Sequence, residues 1–428
     1  MTQLSESHIT EQRSLDDILN APDRNKPIGF ILRLAKALHT YGLPAYELEK
    51  TMNGCAKAMG YGIQCMSLPT SISITILPDS SEPRTYLIRV SPGEVNIEKL
   101  RKTTEIARHV INDKINSQQG AECLKEIAVS GSDYPNWIIV LAFCAVSTCI
   151  AHIFSGGIAE MIASATIGLL VGLLAIASGF RPIIGHLLPA ICAFVATFIS
   201  LLINQWSGFA INTSVVILSG LIILLPGLTL TVALAELATQ NLVSGTARLA
   251  GTMTTFIQLA VGSALAGELA NQMGLMSNHV SLEAASFWSL LLSVSIASLA
   301  LIPLFSARKQ DAGWFLAAAL TAFITVYFSS QLMGPSLGAF AGAITVGLLA
   351  KLVTKFFDVP GAMIVMPGFI ILVPGAIGYQ SILAFVENDV SASLSTAYDV
   401  IVIGISLVAG FLLSSLVHLP KDEAKDHY

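Results

Sequence analysis

Two kinds of hydrophobic pattern divide the chain near Pro135. Beyond that point lie ten apolar blocks, near 137–155, 159–178, 183–203, 211–236, 246–267, 286–305, 313–330, 335–354, 360–386 and 396–418. Each is long enough to cross a hydrocarbon core of ~30 Å as a helix. Before it the apolar runs are short. Residues 27–40 place Ile28, Ile31, Leu32, Leu34, Ala35 and Leu38 at helical spacing and stop before Tyr41-Gly42. Pro44 suits the first turn of a second helix, 45–59, closed by Gly60. Alternation then predicts strands at 62–66, 71–77 (Ile72, Ile74 and Ile76 on one face) and 85–90, with a turn at 78–81 between the last two. A helix over about 96–116 and a shorter one over 121–129 follow, and 131–135 forms a link.

The predicted fold is therefore mainly α: a polytopic membrane protein of ten transmembrane helices, preceded by a small cytoplasmic α+β domain. The expected divisions are a disordered tail at 1–26, the α+β domain at 27–134, a five-helix membrane repeat at 135–270, a second at 284–419, and a cytoplasmic tail at 420–428.

Charge sharpens this division. Only 12% of the 428 residues are charged, against about 25% in ordinary soluble domains. Of these, 15 of the 23 Lys and Arg and 16 of the 28 Asp and Glu precede Pro135. The basic residues beyond it are Arg181, Arg248, Arg308, Lys309, Lys351, Lys355, Lys421 and Lys425, and all fall on one side of a ten-span topology. Cytoplasmic loops collect Lys and Arg, so both termini are expected in the cytoplasm. The first twenty residues lack an apolar core, so no signal peptide is expected. A net charge of −5 without a basic cluster argues against nucleic acid. The six cysteines show neither CxxC pairs nor zinc-ligand spacing, and no metal or cofactor is expected.

The most informative feature is a duplication. Gly220-Leu-Ile-Ile-Leu-Leu-Pro226-Gly227 matches Gly368-Phe-Ile-Ile-Leu-Val-Pro374-Gly375 at six of eight positions, offset by 148. Sliding the first five spans by that offset lands near the last five. Five is odd, so the second copy starts on the opposite side of the bilayer, the inverted-repeat plan of many secondary transporters. Pro226 and Pro374 fall inside the fourth and ninth spans, where proline kinks or breaks a helix. After each Pro-Gly a half-helix would begin in mid-bilayer, its positive N-terminus facing a shared cavity that suits a carboxylate.

Candidate substrate ligands are then Pro226, Gly227, Thr229, Thr231, Gln258, Pro374, Gly375, Tyr379 and Gln380, although each polar side chain could instead bond its own helix or a neighbour. Glu236 and Asp399 are the candidates for proton coupling, against an interfacial alternative. Glycine stripes such as Gly334, Gly338 and Gly342, or Gly168 and Gly172, read as close helix packing, and homo-oligomer formation is left open.

The run Pro226-Gly227, Glu236, Asn241, Ser244-Gly245 and Arg248 resembles the signature of the threonine/serine exporter family. The stretch 34–45, Leu-Ala-Lys-Ala-Leu-His-Thr-Tyr-Gly-Leu-Pro-Ala, with Glu49 and Ala58-Met59-Gly60, is similar to that family's N-terminal domain. The resemblance runs from about Pro27 to Val417 and is to a fused form of what in some bacteria are two proteins. It implies proton-motive-force-driven antiport of threonine and serine, or of a dicarboxylate such as succinate, across a bacterial inner membrane. It also gives Asn241 and Arg248 gating or structural roles. Glu236 stands where the family pattern has Asp, which keeps the charge and lengthens its reach.

Two other classes compete with a transporter. A channel would need a selectivity ring or continuous polar path, which the sequence lacks. A membrane-anchored enzyme would need a constellation in the soluble domain. His39 and Glu49 lie ten residues apart and off a common helical face, so none is expected there. No GxxxxGK[ST] occurs, which disfavours ATP-driven transport. The soluble domain, joined to the first span by a short linker, is expected to act as a gate or cap.

Overall fold

The computed structural model describes residues 26–77, 82–93, 95–131, 133–180, 182–207, 210–275, 284–357, 361–372, 375–387 and 389–417. The expected turn at 78–81 and most of both expected tails lie outside these residues. The chain divides into two compact units, one of residues 1–133 with 236–247, the other of 134–235 with 248–428.

The first unit contains α1 (Lys26–Thr40), α2 (Ala45–Ala58), β1 (Gly62–Leu68), β2 (Ser71–Leu77), β3 (Arg84–Arg89), α3 (Ile97–Ile111) and α4 (Ser117–Val129). The strands form one antiparallel sheet in the order β1-β2-β3, with Ile74 opposite both Cys65 and Tyr86. The alternation of β2 buries Ile72, Ile74 and Ile76, as α1 buries Phe30, Ile31, Leu34 and Leu38. The helix expected over 96–116 ends early, at Ile111. Asp113 adopts φ 56° after α3 ends, and Asn116 is a cap rather than a helix interior residue. Its side chain accepts from the Gln119 amide at 2.8 Å while the Gln119 side chain accepts from the Asn116 amide at 3.1 Å. That reciprocal pair starts α4 four residues before the expected 121.

The second unit contains α5 (Asn136–Ile153), α6 (Ile158–Ser178), α7 (Pro182–Trp206), α8 (Thr213–Leu221), α9 (Gly227–Ala238) and α10 (Leu242–Gln272). It continues with α11 (Phe287–Leu304), α12 (Ala312–Met333), α13 (Pro335–Phe357), α14 (Ala362–Leu372), α15 (Gly375–Val386) and α16 (Val390–Leu416). The ends of α9 and α10 between Glu236 and Ala247 belong to the first unit. Among the described residues, nine helical stretches are long and apolar enough to cross a membrane, with Ile364–Val386 counted as one. The expected fourth span escapes that length test because it is split into α8 and α9. With it the count is ten.

The glycine stripes act as expected, with one exception. A side chain at Gly168 would meet Ser147 of α5 at 2.5 Å, and one at Gly172 would meet Phe143 at 3.1 Å. Gly338 lies against Ser330 of α12, and Gly342 faces Leu372 and Val326. Gly334 instead has φ 86° and open space around it, so it stops α12 rather than packing a helix.

Candidate functional site

The first break is built from tight turns. α8 stops at Leu221, and α9 begins at Gly227. Pro226 lacks an amide donor, and its ring excludes a preceding helical turn. The Leu224 and Leu225 amides both donate to the Leu221 carbonyl, at 2.8 and 3.2 Å, and the Gly227 amide donates to Leu225 at 2.8 Å. α9 then starts afresh, with the Leu230 amide donating to the Pro226 carbonyl at 2.9 Å. The amides ahead of Leu230 form the positive end of a new helix at the break.

The helix that carries the second Pro-Gly is described as α14 up to Leu372 and as α15 from Gly375. Pro374 lies outside the described residues. The first break lies against the start of α15. A Cβ at Gly375 would lie 3.3 Å from the Gly227 Cα and 3.5 Å from its nitrogen. Two further contacts are exchanged crosswise. A Cβ at Gly378 of α15 would lie 2.8 Å from the Phe256 ring of α10, and one at Gly404 of α16 would lie 2.5 Å from Leu234 of α9. Positions 256 and 404 are 148 apart, the offset of the sequence repeat. α15 thus lies on the last helix of the first half, and α9 on the last helix of the second.

The expected ligands are therefore only partly gathered. Gly227 and Gly375 touch. Thr231 is buried, and its hydroxyl donates back to the Gly227 carbonyl at 3.3 Å. Tyr379 is buried at 1% exposure, its hydroxyl 2.5 Å from the Ser263 Oγ. Thr229 and Gln380 are exposed, and Gln258 is half-buried on α10. Asp399 is exposed on α16. Arg248 is half-buried, and its carbonyl accepts from the Thr252 hydroxyl at 2.9 Å.

Glu236 is fully buried. One carboxylate oxygen accepts from the Ala45 amide at 3.2 Å, the other from the Ser244 hydroxyl at 3.0 Å. Ala45 opens α2 behind Pro44, whose side chain offers no acceptor to the unpaired amides of the first turn. Glu236 supplies that acceptor from 191 residues away, with its charge at the favourable end of the helix dipole. The Asn241 amide donates to the Glu236 carbonyl at 2.8 Å, which closes the turn after α9. Tyr46, beside Ala45, has its phenol pushed up by burial and then by the charges of Glu47 and Glu236.

Several groupings escape a linear reading. Ser263 accepts from Thr197 of α7 at 2.9 Å as well as meeting Tyr379, so three helices share one buried chain of hydroxyls. Glu160, at 5% exposure, accepts from the Gly157 and Asn212 amides, both at 2.9 Å. In the first unit, His39 and Ser67 are buried with Nδ1 and Oγ 3.4 Å apart. His39 Nε2 faces the Pro69 carbonyl at 3.2 Å, so that nitrogen carries the proton and Nδ1 accepts from Ser67. Glu49 accepts from the Ser67 backbone amide at 3.0 Å. Histidine, serine and carboxylate thus come together where sequence spacing gave no sign of it; the carboxylate holds the strand backbone. Only contacts across the fold reveal such groups, because their members lie on different elements.

Comparison with known proteins decides the family. Residues 29–270 match the family described as "Putative threonine/serine exporter", and residues 274–417 match that described as "Threonine/Serine exporter, ThrE". The chain belongs to the threonine/serine exporter family. Among similar proteins, an uncharacterized protein of Schizosaccharomyces pombe is 22% identical over 92% of this chain and 51% of its own length. "Pheromone-regulated membrane protein 10" of Eremothecium gossypii is 24% identical over 97% of this chain and 59% of its own. Its namesake in Saccharomyces cerevisiae is 23% identical over 99% and 58%. The chain thus spans between half and three-fifths of the length of these relatives. No solved structure matches it.

These relatives correct one expectation. They are fungal proteins, two of them membrane proteins by name, and point to a eukaryotic membrane rather than the bacterial inner membrane implied by the resemblance. The multi-pass character stands. The geometry also accounts for the two stretches that carry the family likeness: Pro44-Ala45 and Glu236 with Ser244 are one set of hydrogen bonds.

Proposed function

We propose that this exporter-family protein is a secondary transporter that moves a small carboxylate metabolite, threonine or serine, against its gradient in antiport with protons. The observation that carries this reading is the close approach of the first break, at Gly227, to Gly375 of the second Pro-Gly. The helix start at Gly227 presents amide donors and a positive dipole end where a carboxylate can be held, and an interruption after Pro374 would add a second. The crosswise packing of Gly378 on Phe256 and Leu234 on Gly404 supports two oppositely oriented five-helix copies, and rocking of one against the other would expose the breaks to each side in turn.

Around the breaks, Thr229, Thr231, Gln258, Tyr379 and Gln380 are the side chains offered to substrate. Proton coupling is assigned to acidic side chains near the membrane faces. Glu236 is the buried one and Asp399 the exposed one. A dianion is the weaker choice of substrate, since the spans carry no deep Lys or Arg to meet a second carboxylate.

Flux in proteoliposomes with an imposed pH gradient tests the proposal. Threonine should accumulate uphill while the gradient lasts and equilibrate once a protonophore is added. Flux indifferent to the gradient would instead mark a channel.

A further inference from the structure

The two helices that follow the breaks differ in what their equivalent side chains touch. At the 148-residue offset Tyr379 corresponds to Thr231, Ser263 to Phe411, and Thr197 to Thr345. Beside the first Pro-Gly, Thr231 bonds its own helix, while Phe411 packs edge-on against Phe369 at 5.3 Å. Beside the second, Tyr379, Ser263 and Thr197 join in one chain of hydroxyls, all less than a tenth exposed. Only the set around Tyr379 is therefore a chain of three hydroxyls; its counterpart Thr345 bonds Thr325 instead.

Proton accounting makes the Tyr379 chain incomplete. Three hydroxyls carry three donors. Thr197 donates to Ser263, and either Ser263 or Tyr379 donates across the 2.5 Å contact. The third proton, on whichever of Tyr379 or Ser263 accepts, has no acceptor among the described residues. A buried donor left so is unfavourable unless something takes it. Its surroundings are apolar: Leu225, Leu230, Phe256 and Leu259 pack in the same cluster as Tyr379. Such a site suits a neutral alcohol, which accepts one bond and donates another. A second carboxylate there would be a buried charge without a counter-ion.

We propose that Tyr379, Ser263 and Thr197 form the side-chain subsite of this transporter and read the hydroxyl of a short hydroxy amino acid. The α-carboxylate then faces the amides that open α9 at Gly227, against which Gly375, four residues before Tyr379, is packed. This rests on the transport reading above and adds to it the residues that select the substrate. Tyr379 and Ser263 are the contacting groups; Thr197 is a positioning residue that orients Ser263 by donating to it.

The test uses full-length protein in proteoliposomes and three substrates: threonine, 2-aminobutyrate (the same skeleton without its hydroxyl) and succinate. Wild type should favour threonine over 2-aminobutyrate in kcat/KM by about tenfold or more, since a site built for a hydroxyl rejects the analogue without one. Tyr379→Phe and Ser263→Ala should each raise the KM for threonine by roughly 5- to 100-fold, leave 2-aminobutyrate within about twofold, and so collapse the ratio. Thr345→Ala, the equivalent of Thr197 in the other half, should keep the ratio. Two substitutions are used so that a folding failure in one leaves the other to decide. Equal loss of both amino acids in the variants, or a wild type indifferent to the hydroxyl, overturns the subsite and leaves the transport reading intact. Exchange of succinate but of neither amino acid overturns both.

Discussion

The two Pro-Gly breaks share six of eight residues, yet their surroundings diverge within two turns of helix. After the first, Thr231 satisfies its hydroxyl on its own backbone, and the helix ends in Glu236, bound to the Ala45 amide and Ser244. After the second, Tyr379 enters a hydroxyl chain, and the position equivalent to Glu236 is Ala384. The shared glycines allow the close approach of Gly227 and Gly375, and Pro226 accompanies the interrupted helix of the first copy. The side chains around it have diverged, one copy leading to a carboxylate held by Ala45 and Ser244 and the other to a chain of hydroxyls. Duplication kept the geometry and divided the chemistry.

That contrast can be broken at its shared point first. Gly375→Val places a branched side chain within van der Waals reach of Gly227, so one break must move. Overpacking of this kind costs about 1–3 kcal/mol, and transport should fall by about tenfold or more at normal expression, measured as threonine exchange per protein reconstituted. Glu236→Ala attacks the first copy alone. It leaves the Ala45 amide and the Ser244 hydroxyl without their acceptor, at about 1–3 kcal/mol. Faster hydrogen exchange in the first turn of α2, with α15 unchanged, is the expected signature. A uniform rise in both would show that Glu236 is not a local fastening.

Smaller effects separate the N-terminal unit from the membrane unit. Burial opposes ionisation of Glu98, but hydrogen bonds from Arg101 and Lys102, with their charges, prevail and hold its pKa below the usual carboxylate value. Its folded pKa is depressed, so its contribution is present above the unfolded value of about 4.3 and is lost as pH falls through the folded value. Glu98→Gln should flatten the acid limb of a stability–pH curve read from hydrogen exchange in α3. The least effect is expected at the thiols. Burial pushes Cys55 up to about 11, and burial followed by the Glu49 charge pushes Cys65 up to about 12. Both should resist maleimide at neutral pH, as thiolate is the reactive form. Rapid labelling of either would mean that the sheet opens.

Much of the fold was legible because lipid leaves few alternatives. A run of about twenty apolar residues must be a spanning helix, and Ile72, Ile74 and Ile76 could only be one face of a strand. The first break was legible through Pro226, whose missing amide and ring disfavour a continuous helix. Less was legible where a side chain answered a distant need. Asn116 reads equally well as helix interior or cap until Gln119 is seen to reciprocate. Glu236, at the end of a span, reads as a proton carrier. Its partner Ala45 is a backbone amide, which no residue type advertises. Ser263 and Thr197 are ordinary small residues in apolar helices until Tyr379 is placed between them.

Accessibility at the breaks themselves gives the most direct test. Ala376, half-buried one residue past Gly375, can be changed to Cys in a background freed of the six native cysteines. The account predicts labelling by a membrane-impermeant thiol reagent from either face of the bilayer, according to the direction of the imposed gradient, and slowing of both reactions by threonine. Labelling from one face only, whatever the gradient, and without protection by substrate, would contradict it.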